Sequence, residues 1–157
     1  MICIDTMVLI WGVQQVSRPT QSAMIGRTGR FIAQCDSAGE EMMVPSVVIA
    51  EYLTPFSPQN KALQLRELHG RFFVAPLDAA AGALASELHN KGRAGSLQAG
   101  SRHTLKSDCY IIATAIIHGA DSIVTANFKE YKAIAGDRIK IQEVPEIPEQ
   151  LNIPDRD

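Results

Sequence analysis

The chain has 157 residues, 46% of them hydrophobic and 20% charged, with a formal net charge of -2 at pH 7. That length suits one domain, residues 1–157, burying roughly two-thirds of the surface its unfolded form exposes. The balance of residues excludes a disordered tail, a fibre and a strongly basic nucleic-acid coat, though not a local basic patch. The opening "MICID" reads as a short buried strand with Asp5 at its carboxyl end, and Thr6 onward turns helical. With no basic segment ahead of it and too few apolar residues to span a bilayer, this start predicts a cytoplasmic chain with no membrane partner.

Thr20 to about Ala38 suits an amphipathic helix opened near Pro19 and closed by Gly39, and "MMVP" is a second strand. Ser46 is expected to cap "VVIAEYL", a helix that carries Glu51 and that Pro55 must end. A helix over about Gln59 to His69 precedes the strand "FFVAP", and another runs from Asp78 to about Asn90. "NKGRAGSLQAGSRHTLK" breaks this rhythm with three glycines and several basic residues, and reads as a loop. Ser107 is then expected to cap a helix from Asp108 to Gly119, followed by the strands "SIVT" and "RIKIQEV" and a C-terminal tail, 143–157.

Short apolar strands alternating with helices define an α/β fold with a mainly parallel central sheet covered on both faces. Ligands of such sheets gather beyond the carboxyl ends of the strands, where Asp5 ends one strand and Asn127 follows another. Cys3, Cys35 and Cys109 form no CxxC pair and read as buried thiols, and the four histidines show no metal-ligand spacing.

Three carboxylates stand on elements made to be buried: Asp5, Glu51 and Asp108. Asp5 alone could be a helix cap, and Asp108 alone an acid at a helix N-terminus, but Glu51 sits mid-helix among apolar residues with no capping duty. Brought within a few Å, three like charges demand a cation. Oxygen donors without clustered histidine or cysteine favour Mg²⁺ or Mn²⁺, the ions that serve phosphodiester hydrolysis.

In order along the chain, "MICIDT", "VPSVVIAEYL", "SDCYIIATAIIHGAD" and "SIVTANFKEY" resemble the successive motifs of the PIN-domain nucleases, especially the VapC-like toxin ribonucleases. The similarity runs from residue 1 to about residue 142. It implies a three-layer α/β/α PIN-like fold, a Mg²⁺ or Mn²⁺ site and endonucleolytic cleavage of RNA, with Asp5, Glu51 and Asp108 as the metal-binding acids. It also implies a small antitoxin partner and homodimerisation. At a fourth position, where many relatives carry aspartate, this chain has Asn127, whose amide can orient water but brings no charge, so a second cation is expected to be held more weakly. Thr6 and Thr125 are expected to orient the acids through their hydroxyls.

The basic residues Lys91, Arg93, Arg102, His103 and Lys106, just before Asp108, suit the guidance of RNA phosphates, or are solvated surface. "IGRTGR", residues 25 to 30, is similar to an arginine motif of RNA helicases, but the chain has no phosphate-binding G-x-x-x-x-G-K-[ST] loop. The match is coincidental, although Arg27 and Arg30 share a helix face. Two rivals remain: a PIN-like RNA- or protein-binding module without catalysis, and phosphoryl chemistry on an aspartate, which the absence of D-x-D after Asp5 disfavours.

Overall fold

The structure is a computed structural model that describes residues 1–94 and 102–148, with backbone alone for residues 92–94 and 102–104. Five short strands, β1 (Ile2–Ile4), β2 (Met42–Pro45), β3 (Phe73–Ala75), β4 (Ser122–Val124) and β5 (Lys140–Gln142), form one sheet in the order β3-β2-β1-β4-β5. Every pairing is parallel. All residues of β2 and β4 are buried. Since neighbouring side chains point to opposite faces, such strands need helical cover on both sides, and the expected α/β/α layering follows.

The helices are α1 (Thr6–Leu9), α2 (Ser22–Ala38), α3 (Ser46–Leu53), α4 (Pro58–Arg71), α5 (Ala79–Ala94), α6 (Arg102–Ile117) and α7 (Phe128–Ala135). A π turn over Ile10–Gln14 and a 3-10 turn over Pro19–Gln21 connect α1 to α2. Among the described residues no helix is long and apolar enough to cross a membrane. The core gathers Ile4, Met43, Ile112 and Ile123 around the sheet, with Tyr52, Leu68 and Leu88 fully buried in the helical layers.

Several helix boundaries differ from those read in the sequence. Ser46 is the first residue of α3 rather than its cap, and its Oγ accepts a hydrogen bond from Leu77 N at 3.1 Å, tying the start of α3 to the segment after β3. Ser107 caps nothing: α6 begins at Arg102, because the basic stretch "RHTLK" contains no glycine or proline and Leu105 extends the apolar stripe of Cys109 and Ile112 by one turn. On the other side α5 continues to Ala94; the rest of the segment expected as a loop, residues 95–101, lies outside the described residues, as do residues 149–157. Gly39 closes α2 as expected, in the left-handed conformation (φ 66°), with its N–H on Asp36 O. Arg27 reaches Glu146 at 3.2 Å and Arg30 Nε donates to Ile147 O at 2.8 Å, so this arginine face grips the chain beyond β5.

Gly12 sets how closely the π turn approaches α2. A Cβ built there would overlap Ile32 Cδ1 and stand 3.0 Å from Thr28 Cγ2, and both residues are buried. Gly12→Ala is therefore expected to lower the unfolding free energy by about 1–2 kcal/mol, overpacking outweighing the helix preference of alanine. In urea denaturation, adding Ile32→Val to Gly12→Ala should cost less than the sum of the two single changes, since the overlapping methyl is gone.

Candidate active site

β1 has β2 on one side and β4 on the other, so the strand order reverses beside it, and the crevice beyond the carboxyl ends of β1 and β4 is where a ligand fits. Asp5, immediately after β1, is 5% exposed. Its Oδ1 accepts from Val8 N at 2.9 Å, capping α1; its Oδ2 accepts from Thr125 Oγ1 at 2.5 Å and Ala126 N at 3.1 Å, just past β4. Asn127 N–H donates in turn to Thr125 Oγ1 at 2.9 Å, completing a relay that fixes Asp5 across the strand gap. The carboxylate that lines the crevice is thus also the one that caps α1.

Asp108 lies in the second turn of α6 and is 8% exposed. It is not at a helix N-terminus, so the dipole explanation for its presence fails. Burial pushes its carboxyl up to about 7, the charges of Glu51 and Asp5 add to the rise, and a hydrogen bond with the Tyr131 hydroxyl opposes it. Burial also raises Asp5, against the pull of its hydrogen bonds. Glu51 is exposed. Its two oxygens accept from the hydroxyls of Thr6 and Ser107. Those hydroxyls belong to the chain neighbours of Asp5 and Asp108, so α3 is latched to both acid-bearing segments at once.

These groups line one open cavity of about 750 Å³, with Asp5, Glu51, Asp108, Asn127, Thr6 and Ser107 on its wall. Its wall also carries Tyr131, Arg18 and Gln21. Tyr131 was not evident in the sequence. It sits on α7, a helix the apolar pattern did not announce, and its ring is core while only its hydroxyl serves the site. Thr125 is buried beside Asp5, to which its hydroxyl donates.

Among the described residues no three histidine, cysteine, aspartate or glutamate groups stand close enough to share one cation. The oxygens are turned instead to protein donors: Glu51 to two hydroxyls, Asp5 to a hydroxyl and two amides. In donor chemistry the wall still suits a hard divalent ion, with the Asp5 and Asp108 carboxyls raised chiefly by burial. Of the basic residues expected to guide RNA, Lys91 and Lys106 are exposed and lie off the cavity wall, Lys106 with its ammonium 5.9 Å from the centre of the Tyr110 ring. The side chains of Arg93 and Arg102 lie outside the described residues. All three cysteines are free and buried; burial drives the Cys3 thiol far up and Cys109 to about 11, so neither is a nucleophile.

A parallel α/β sheet with an acid-lined crevice at its switch point defines the class of this protein. The PIN domain model matches residues 2–136, and the chain belongs to the PIN domain family. Among curated proteins none matches the sequence. Solved structures share the fold. VapBC2 from Rickettsia felis, bound to a DNA fragment from their promoter, has a TM-score of 0.67 at 17% identity over 92% of this chain and 100% of that one. DNA-bound VapBC from Salmonella typhimurium has 0.61 at 15% identity over 92% and 98%, and FitAcB from Neisseria gonorrhoeae 0.59 at 19% over 90% and 96%.

The Asp108 shift fixes a pH dependence and its sign. Unfolded aspartate ionises near 3.8 and folded Asp108 near 7, so between those values the folded state holds the additional proton and stability falls as pH rises. In chelator-containing buffer, Asp108→Asn should flatten this decline and exceed the unaltered chain by on the order of 2 kcal/mol at pH 8. Tyr131→Phe removes a bond that favours the carboxylate, and should move the upper end of the window to higher pH. Urea midpoints measured from pH 4 to 8 report both.

Proposed function

We propose that this PIN domain is an endoribonuclease that hydrolyses RNA phosphodiester bonds with Mg²⁺ or Mn²⁺ and acts as the toxin of a toxin–antitoxin pair. The observation that carries this reading is the convergence of Asp5, Glu51 and Asp108, 103 positions apart at the extremes (108 − 5), on one cavity in which two of the three carboxyls are raised by burial. Carboxylates in that state lack positive charge, and a hard dication is the group that supplies it. Motif order and the PIN family match agree with it, and the likeness to the VapBC and FitAcB structures is a likeness of fold.

On this reading Asp5, Glu51 and Asp108 hold the ion, which when bound activates water and offsets charge on the phosphoryl oxygens. Asp5 is the fixed member, clasped from α1 and from the turn after β4. Glu51 is the member that exchanges partners, since its present contacts are hydroxyls that can rotate away or stay on as orienting groups. Asp108, raised to about 7 in the metal-free fold, gives up its proton as positive charge enters and serves as a ligand carboxylate. Asn127 orients water without adding charge, so a second cation depends on substrate phosphate. Lys91, Arg93, Arg102 and Lys106 guide the RNA strand toward this crevice. A small antitoxin protein binding beside the crevice, and a homodimer, complete the assembly proposed for a cytoplasmic chain.

Asp5→Asn and Asp108→Asn should each abolish manganese-dependent cleavage of single-stranded RNA while circular dichroism stays unchanged; full cleavage by either variant would refute the assignment. Mn²⁺ at a hundredfold excess over its Kd should add about 2.7 kcal/mol of stability. For a chain of this size that is roughly 5–10 °C in Tm, lost in Asp5→Asn.

A further inference from the structure

Arg18 lies on the wall of the same cavity as the three acids, yet forms no ion pair with any of them among the described residues. A guanidinium placed to neutralise the site would touch a carboxylate, and the oxygens of Asp5 and Glu51 are satisfied without it. It is also the cation among the described residues lining this wall, whereas Lys91 and Lys106 lie away from it.

The backbone that presents Arg18 is stiff. Because Pro19 follows, Arg18 is confined to extended conformations, as observed (φ -70°, ψ 154°), and its carbonyl accepts from Gln21 N at 2.8 Å to close the 3-10 turn. Upstream, Gln15 turns the chain in the left-handed conformation (φ 57°), and the close contact at Gly12 holds the π turn against α2. The direction in which the side chain leaves the backbone is therefore set before any ligand arrives.

We propose that Arg18 is the phosphate anchor of this site: it binds the phosphodiester next to the one that is hydrolysed and sets the position of the strand across the acids. This deepens the nuclease reading and rests on it. The physical need is direct, since an RNA strand entering a cavity lined by three carboxylates is repelled by them, and a guanidinium at the cavity wall offsets that repulsion while pairing with two phosphate oxygens at once. Such a contact acts on the bound and reacting strand alike, so it governs KM more than kcat.

Arg18 is exposed, so its substitution leaves the fold intact. Two measurements test the role: anisotropy of a fluorescein-labelled single-stranded RNA on the Asp108→Asn chain over a range of KCl, and cleavage kinetics of the otherwise unaltered chain with Mn²⁺. Arg18→Ala should weaken binding roughly tenfold, reduce the slope of log affinity against log salt by about 0.7–1, and raise KM with kcat nearly constant. Arg18→Lys should restore most of the salt slope and only part of the affinity, having charge without the fork. Cleavage by the unaltered chain with KM and salt slope both indifferent to Arg18→Ala would overturn the anchor and leave the nuclease reading standing. Binding that depends on Arg18 without cleavage would sink the nuclease reading and retain the phosphate contact, and an absence of RNA binding would overturn the anchor.

Discussion

The removal of two carboxyl groups, Asp5 and Asp108, from water is the constraint around which the rest of this molecule is arranged. Asp5 and Asp108 are each more than nine-tenths buried, and both carboxyls are raised in consequence. A core that tolerates this gives up stability at neutral pH, a cost that natural domains accept at functional sites. The fold limits that cost through local donors. Backbone amides and Thr125 serve Asp5, Tyr131 serves Asp108, and the hydroxyls of Thr6 and Ser107 serve Glu51.

Those donors do more than satisfy charge. Apart from the Val8 amide, which caps α1 locally, each comes from a different element than the acid it serves, so the hydrogen bonds cross-link α1, α3, α6, α7 and the β4–α7 turn. The all-parallel sheet makes this possible by bringing the carboxyl ends of β1 and β4 together, in register from Ile2 opposite Ser122 to Ile4 opposite Val124. Arg18 brings the opposite sign to the same cavity, carried to its wall by the chain between the π turn and the 3-10 turn.

Much of this was legible in the sequence because apolar continuity and helix punctuation are local signals. "MMVP" and "SIVT" read as buried strands and proved to be, and Gly39 ended α2 where a left-handed residue was required. Asp5, Glu51 and Asp108 stood out as acids in apolar company, and they face one cavity. What failed was composition used as a proxy for conformation: the basic run before Asp108 looked like loop although nothing in "RHTLK" breaks a helix. That misplaced the start of α6, and with it the role of Ser107, whose hydroxyl turns to Glu51. Tyr131 and Arg18 were illegible for another reason, since one looks like a core aromatic and the other like a surface cation until the tertiary fold aims them at the crevice.

The strand order also dictates when this crevice can exist. β1 emerges first from the ribosome, yet the threonine that clasps its terminal aspartate lies 120 positions later. A nascent chain therefore carries Asp5, Glu51 and Asp108 but no assembled crevice until its last quarter has been made, and non-local closure of this kind is slow. The clasp that fixes Asp5 closes only when nearly the whole sheet is available to fold.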